Sequence, residues 1–441
     1  MSRENFPEKT NDLKFVKGIF ERNNKGSDAS RKISALFGGT RTKAAFDANA
    51  SRKRSSQKFL PLGLDASGEN FIKAVRLFEM NGHLHLAGIA SKRYSKDFKE
   101  ALKGTYEDDN LRGEAVIGVS AKDVQIRVLS LPPMPSAEIE SAIMWAIADA
   151  LNVEPQKMDE FCIDYAVLSE EKSGMPRLKD KKVFVAVARK DIISKKIEEA
   201  SEEGFNVIAV EPAPLALFAG LCYFSPPDSS ASTLLLDIGE DQSSLSVGFG
   251  QDVYLVQNVE MTSNSITQAI KDYFQIDYEN AENLKNKFGL QDWNSTPEAL
   301  LKIPQKMGIE KLTSLRPVVA SRLENLVVNI EHSYKLALAQ SGNSSIGTLS
   351  RVIICGEGAR IKGIDAFIRG RFFTPLDSKH LTGFTQSEKT SVEIFNPLES
   401  VIIGEEVKNA LSAKEEGAAF ATAIGLAMRG KECNEETKSD S

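Results

Sequence analysis

Two segments of this chain constrain its fold more than any other, because each reads as strand, tight turn, strand, with an aspartate closing the first strand. The first is LPLGLDASGENFIKAVRL, where Asp65 ends an apolar run and Lys73 follows the turn. The second lies about 170 residues further on, STLLLDIGEDQSSLSVGFG, with Asp237 ending the run and Gly239 opening the turn. A third segment, RVIICGEGARIKGI, sets Gly356 and Gly358 between an apolar strand and a helical pattern. Taken singly, each is an ordinary turn. Their order and spacing form a weak internal repeat of candidate phosphate turns, and 441 residues are too many for one simple core, so two or more lobes are expected.

Composition narrows the class without naming it. The chain is 41% hydrophobic and 26% charged, as ordinary globular proteins are. No apolar run approaches the roughly 20 residues of a membrane-spanning helix. The opening MSRENFPEKT lacks the apolar core of a secretory signal. Cys162, Cys222, Cys355 and Cys433 are scattered with no CxxC pair, which fits reduced thiols better than a disulfide frame. His83 and His85 share one strand face in HLHL, and an exposed face accounts for them without a metal. The net charge of −6 hides an asymmetry. Residues 1–58 hold 14 Lys and Arg against 6 Asp and Glu, about +8, so the remainder carries about −14. An acidic body argues against general nucleic-acid binding.

Residues 1–58 are polar, basic and rich in Ser, Asn and Gly, and read as a disordered arm. Within it Phe15, Val16, Ile19 and Phe20 stand at helical spacing, suited to a partner or an anionic membrane surface. From Phe59 the expectation is a first lobe over 59–230, a second over 231–430 and a disordered tail over 431–441. Asn81-Gly82 is a strong hairpin pair and gives the first lobe three antiparallel strands. Residues of about 113–188 read as an inserted module. Two strands lead to a break at Pro132, Pro133 and Pro135, then a helix through IESAIMWAIADAL and two more strands. The second lobe opens on the same three-strand pattern, followed by helices, a long one near 317–340 among them.

A nucleoside triphosphate needs donors along its phosphates and a carboxylate to hold hydrated Mg²⁺. Asp65 and Asp237, each ending a strand at a tight turn, are placed to hold Mg²⁺ through water. Ser67, Ser243 and Ser244 offer hydroxyls, Gly239 a close backbone approach, and Lys73 either neutralises phosphate or stabilises its lobe. The Gly356–Gly358 turn suits a purine face or phosphate at a helix N-terminus, or it is a plain strand–helix turn. Glu282 and Lys285 stand three apart on one helix face, the spacing of a surface ion pair. Glu211 ends the strand NVIAVEP, where a carboxylate orients attacking water or simply closes a strand.

Together these residues resemble the actin/Hsp70/FtsA superfamily, and within it the PilM family of type IV pilus assembly proteins. The resemblance covers about residues 60–430. LSLPPMPSAEIESAI resembles the family's proline break before the module helix, and Asp164-Tyr165 falls in a family-like strand. The run VFVAVARKDIISKKIEEASEEGFNVIAVEPAPLAL, the SITQAI and AENLK segments and the final AAFATAIGLAMR extend it. The resemblance implies an α/β chain with a two-lobed actin-like (ribonuclease H-like) ATPase fold and a small α+β module inserted in the first lobe. It implies ATP and Mg²⁺ between the lobes, Glu282 and Lys285 turned toward ribose and adenine, and at most a weak ATPase. It also implies a groove beside the module for the cytoplasmic N-terminal tail of an inner-membrane PilN-like protein. Other platform proteins and self-association follow as further contacts. The implied location is cytoplasmic, peripheral to the inner membrane, in a pilus or type II secretion platform. FtsA resembles the chain too but relies on a C-terminal amphipathic helix, whereas the tail here is polar. Relatives of the GspL type continue into a membrane span.

Four departures from the family pattern fall on the nucleotide-contacting turns. The family's first turn runs close to D-I-G-S-S-S-I-K, whereas Asp65 to Lys73 is one residue longer and adds Glu69. Glu240 and Asp241 replace small or hydroxyl residues in the second turn. Thr262-Ser263 replaces a glycine pair before the second-lobe helix, and Glu357 stands between the glycines of the third turn. Acids crowded on a triphosphate repel it unless Mg²⁺ compensates. The alternative reading is therefore a degenerate actin-fold scaffold without nucleotide. A small-molecule kinase of the same superfamily would need an acceptor pocket with a catalytic aspartate, and the sequence offers no convincing candidate.

Overall fold

The computed structural model describes residues 57–439 apart from 95–97, 107–110, 169–179, 229–230, 292–312, 342–348, 374–389, 405–406 and 408–415. The expected disordered arm, with its Phe15–Phe20 stretch, lies outside the described residues save for its last two.

The first turn segment heads a sheet. β1 (Lys58–Phe59), β2 (Leu62–Asp65), β3 (Phe71–Met80) and β4 (His83–Arg93) pair antiparallel, with Asp65 directly opposite Lys73. Asn81 and Gly82 join β3 to β4 with φ of 54° and 78°, the positive values a two-residue hairpin turn demands. After α1 (Phe98–Tyr106), β5 (Glu114–Val119) lies parallel to β2. This corrects the expected module boundary of about 113. AVIGV is buried along its whole length, the pattern of a strand covered on both faces, so it joins the lobe's own sheet.

The module proper is a separate three-stranded antiparallel sheet of β6 (Val124–Leu131), then, after helix α2 (Ser136–Leu151), β7 (Phe161–Val167) and β8 (Lys181–Arg189), in the order β6-β8-β7. Ile139, Ile143 and Ile147, spaced one helical turn apart, pack in one cluster with Val183, Val185 and Val187 of β8. On β6, Ile126 and Val128 pack into the first-lobe core, as do Tyr254 and Val256 of the second lobe. The module therefore touches both lobes. α3 (Lys190–Glu202), β9 (Asn206–Pro212), parallel to β5, and α4 (Ala213–Phe224) return the chain to the first lobe.

The second turn segment repeats the plan. β10 (Ser232–Ile238), β11 (Ser243–Phe249) and β12 (Asp252–Val259) run antiparallel. Helices α5 (Ser263–Phe274), α6 (Tyr278–Lys287) and α7 (Leu315–Ser341) follow, then β13 (Arg351–Cys355), α8 (Ile364–Phe373) and β14 (Ser391–Ile394). The order β12-β11-β10-β13-β14 matches β4-β3-β2-β5-β9 of the first lobe strand for strand. Leu234, Leu236 and Ile354 of this sheet share a core with Ile266, Ile270, Leu323, Leu326 and Ile330.

The chain then goes back. β15 (Ile402–Ile403) pairs parallel with β4, and α9 (Ala421–Ser439) packs on β2, β5 and α4. The expected second lobe of 231–430 is thus cut short, with β14 its last strand. The reason lies in α9 itself. Every residue from Ala421 to Gly430 is buried, and a helix mostly apolar on every face needs cover on all sides, which the first sheet and α4 supply. The expected disordered tail of 431–441 is corrected as well, since α9 runs on to Ser439. Its Lys and Glu residues are good helix formers, and extending a nucleated helix costs little. Among the described residues no helix is long and apolar enough to cross a membrane.

Candidate functional site: the interlobe cleft

Asp65 and Asp237 end the equivalent central strands β2 and β10, so the repeat brings them to one cleft between the lobes. Asp65 is buried, and its Oδ1 accepts hydrogen bonds from the backbone N–H of Ser67 at 3.1 Å and from the Ser67 hydroxyl at 2.6 Å. Lys73, across the hairpin, reaches Glu357 of the third turn in an ion pair whose side chains are each 12% exposed. Gly356 makes that approach possible. Its φ is 77°, and a Cβ there would collide with Asp237 Oδ1 and the Ile238 carbonyl.

The floor of the cleft is therefore three carboxylates around one ammonium. Burial works against the charge on Lys73, yet Glu357 with Asp65 and Asp237 holds its pKa above the ordinary lysine value. Burial raises the Asp65 carboxyl against the pull of Lys73 and Ser67. Asp237 is pushed up to about 7, chiefly by burial, with Asp65 and Glu357 adding to it and Lys73 opposing. The Thr422 hydroxyl of α9 lies 3.4 Å from Asp237 Oδ2. A hydrated divalent cation suits this surplus of negative charge. Among the described residues no three carboxylate, imidazole or thiolate groups form a direct metal-binding cluster, and Asp65 and Asp237 would be the residues to hold such an ion.

The mouth of the cleft is built from the two turns, and here the acids of the second turn meet donors of the first. Asp241 Oδ2 accepts from the backbone N–H groups of Glu69 at 2.9 Å and Asn70 at 2.8 Å, and from the Asn70 amide at 3.4 Å. Glu240 pairs with Arg93 at the end of β4. The Arg93 guanidinium also lies 4.7 Å from the centre of the Phe71 ring and 5.6 Å from that of Tyr278 on α6. Gln242 donates to Glu69 at 3.3 Å and accepts from Ser120, while Lys122 holds Glu69 at 2.9 Å. The carboxylates thus fit Mg²⁺, but the phosphate donors are already engaged by the protein's own acids. A triphosphate fits only where these give way.

Of the residues expected at the site, Asp65, Ser67, Lys73, Asp237 and Gly239 line the cleft, and Gly356 and Gly358 support its floor against Ile238. Ser243 and Ser244 are buried within β11 and do not line it. Glu282 and Lys285 do not line it either, and their pair is half-buried, with Lys285 enclosed and Glu282 31% exposed. Lys285 is 1% exposed and donates to the Ser263 carbonyl at 3.2 Å, the Ser263 hydroxyl at 2.6 Å, Thr267 at 2.7 Å and Glu282 at 2.7 Å. It ties the start of α5 to α6. Thr262 caps the same end of α5 through a reciprocal pair of bonds with Ser265, which is what stands there in place of glycines. Glu211 lies outside the cleft lining, 1% exposed, in an ion pair of 3.0 Å with Arg429 of α9. Sequence reasoning missed Arg93, Asp241 as a ligand of the first turn, and Thr422. The Glu240-Asp241 pair was the one visible sign of this mouth.

The family model described as type IV pilus assembly protein PilM matches residues 91–431. Among solved structures, the PilM–PilN type IV pilus biogenesis complex aligns with a TM-score of 0.61 at 21% identity, over 84% of this chain and 98% of that one. The ethanolamine utilization protein EutJ from Carboxydothermus hydrogenoformans aligns with a TM-score of 0.41 at 10% identity, over 84% and 89%. MreB5 of Spiroplasma citri bound to ADP gives 0.43 at 11%, over 87% and 99%. No curated protein matches the sequence. The duplicated sheets around one cleft are the two-lobed actin-like fold, and with a family match over most of its length the chain belongs to the PilM family of type IV pilus assembly proteins.

Proposed function

We propose that this protein is a peripheral, cytoplasmic component of a type IV pilus inner-membrane platform. Its task is to dock the cytoplasmic N-terminal tail of a PilN-like membrane protein beside the module, with ATP and Mg²⁺ as conformational ligands of the cleft. The observation that carries this reading is the module's position. β6 packs against β12 of the opposite lobe through Ile126, Val128, Tyr254 and Val256, so a tail held beside the module feels the arrangement of both lobes. The solved PilM–PilN complex supports a partner of that kind. Glu211 is paired with Arg429, and ATP hydrolysis in this reading is at most weak. Contacts with other platform proteins, and self-association, belong to the same reading.

The test is calorimetry with the full chain and a synthetic peptide of the PilN-like tail from the same cell, with and without MgATP. Saturable binding that shifts with nucleotide supports the proposal. No binding in either condition refutes it. A second reading, a scaffold without nucleotide, is favoured by Asp241 standing on the first turn's N–H groups, and peptide binding indifferent to MgATP would select it.

A further inference from the structure

Three contacts at the cleft share a direction. In each, a donor or cation of the first lobe meets a carboxylate of the second. The backbone N–H groups of Glu69 and Asn70 meet Asp241, Arg93 meets Glu240, and Lys73 meets Glu357. The first of these is the most telling. Two consecutive N–H groups at a turn tip, converging on one oxygen at 2.9 and 2.8 Å, form the concave donor pair that turns present to anions. Here the anion is a side chain 172 residues away in sequence. Ordinary ion pairing between surfaces does not select backbone donors of a phosphate turn, and all three charged contacts run in one sense, while the neutral Gln242 amide donating to Glu69 at 3.3 Å runs in the other.

We propose that Asp241, Glu240 and Glu357 form a built-in substitute for polyphosphate that latches the two lobes together without nucleotide. A polyphosphate ligand enters only by displacing them. A carboxylate oxygen and a phosphate oxygen make the same charge-assisted bond to an N–H group, so the two compete for one set of donors. The latch goes beyond the partner-docking role and does not depend on it; its closure concerns the nucleotide-free lobes, and only its displacement by polyphosphate rests on the nucleotide part of that reading.

The test is hydrogen exchange on the nucleotide-free full chain, read residue by residue by mass spectrometry across 66–72. The amides of Glu69 and Asn70 sit at an exposed tip, so without a latch they exchange at the rate of open chain. With it they are protected, and Asp241→Ser speeds their exchange at least tenfold while peptides of β10 and β11 stay as protected as before. Asp241→Asn, which keeps the shape and removes the charge, guards against a folding defect and gives an intermediate rate. Unprotected amides in the unaltered protein, or no change in either variant, would overturn the latch. Calorimetry then reads the displacement. The Asp241→Ser, Glu357→Ala protein binds MgATP at least tenfold more tightly than the unaltered one, and equal affinity, or no binding by either, overturns that half of the proposal.

Discussion

The floor of the cleft makes stability depend on pH through Asp237. Its pKa rises from an ordinary 3.8 to about 7, because burial and the neighbouring Asp65 and Glu357 oppose its charge more than Lys73 supports it. A carboxyl whose folded pKa lies above its unfolded value stabilises the fold while protonated. That contribution is fully present below pH 3.8 and is lost as pH rises through about 7. At 1.36 kcal/mol per unit, a shift of this size amounts to about 4 kcal/mol between the two limits. Asp237→Asn removes the titration while keeping the shape and a contact for Thr422. Relative to this variant, the unaltered protein is expected to lose about 4 kcal/mol of stability between pH 4 and pH 8. Urea unfolding followed by circular dichroism at half-unit steps measures the difference. Asp65, also raised, is present in both proteins and cancels to first order. A difference that stays constant within about 1 kcal/mol across that range would refute the account of a charge-crowded floor.

Three other substitutions test the remaining geometry. Arg429→Ala leaves Glu211 buried without its 3.0 Å partner and should cost about 3–5 kcal/mol, read by thermal or denaturant unfolding. Lys285→Met removes three hydrogen bonds to α5 and one to Glu282 within α6, and should cost about 1–3 kcal/mol with MgATP affinity unchanged. A tenfold loss of affinity at unaltered stability would return Lys285 to the nucleotide. Thr262→Ala deletes the N-cap of α5 and should cost about 1 kcal/mol in the same unfolding assay.

What was legible in the sequence was local and repeated. Asp65 and Asp237 read as strand-ending acids because apolar runs stop at them, and Asn81-Gly82 read as a hairpin because few other pairs accept positive φ twice. The three-strand pattern opening both lobes was a weak repeat, and that the two units face each other across a cleft came from the resemblance to the actin-like fold. What was not legible depends on partners far apart along the chain. Nothing near Glu211 announces Arg429, and an i, i+3 pair such as Glu282 and Lys285 looks the same whether its helix face is wet or packed. Glu240 and Asp241 were conspicuous as acids in the wrong place for a triphosphate. Their answer, the N–H groups of Glu69 and Asn70, lies in the other turn, where local pattern has no reach.

The return of β15 and α9 to the first sheet also sets an order of assembly. The strands of the second lobe, β10 to β14, follow one another without a first-lobe element between them, and most of the core they share can close before Ala418, which also belongs to it, leaves the ribosome. The first lobe cannot, because the helix that fills one side of its sheet emerges only after the whole second lobe. Synthesis usually completes domains from the N-terminus onward. Here the half that begins first is finished last, and until α9 arrives the apolar faces of β2, β5 and α4 must wait uncovered. Substitutions in α9 that blunt its apolar surface, remote from the cleft, are then expected to reduce the yield of folded protein before they touch its binding.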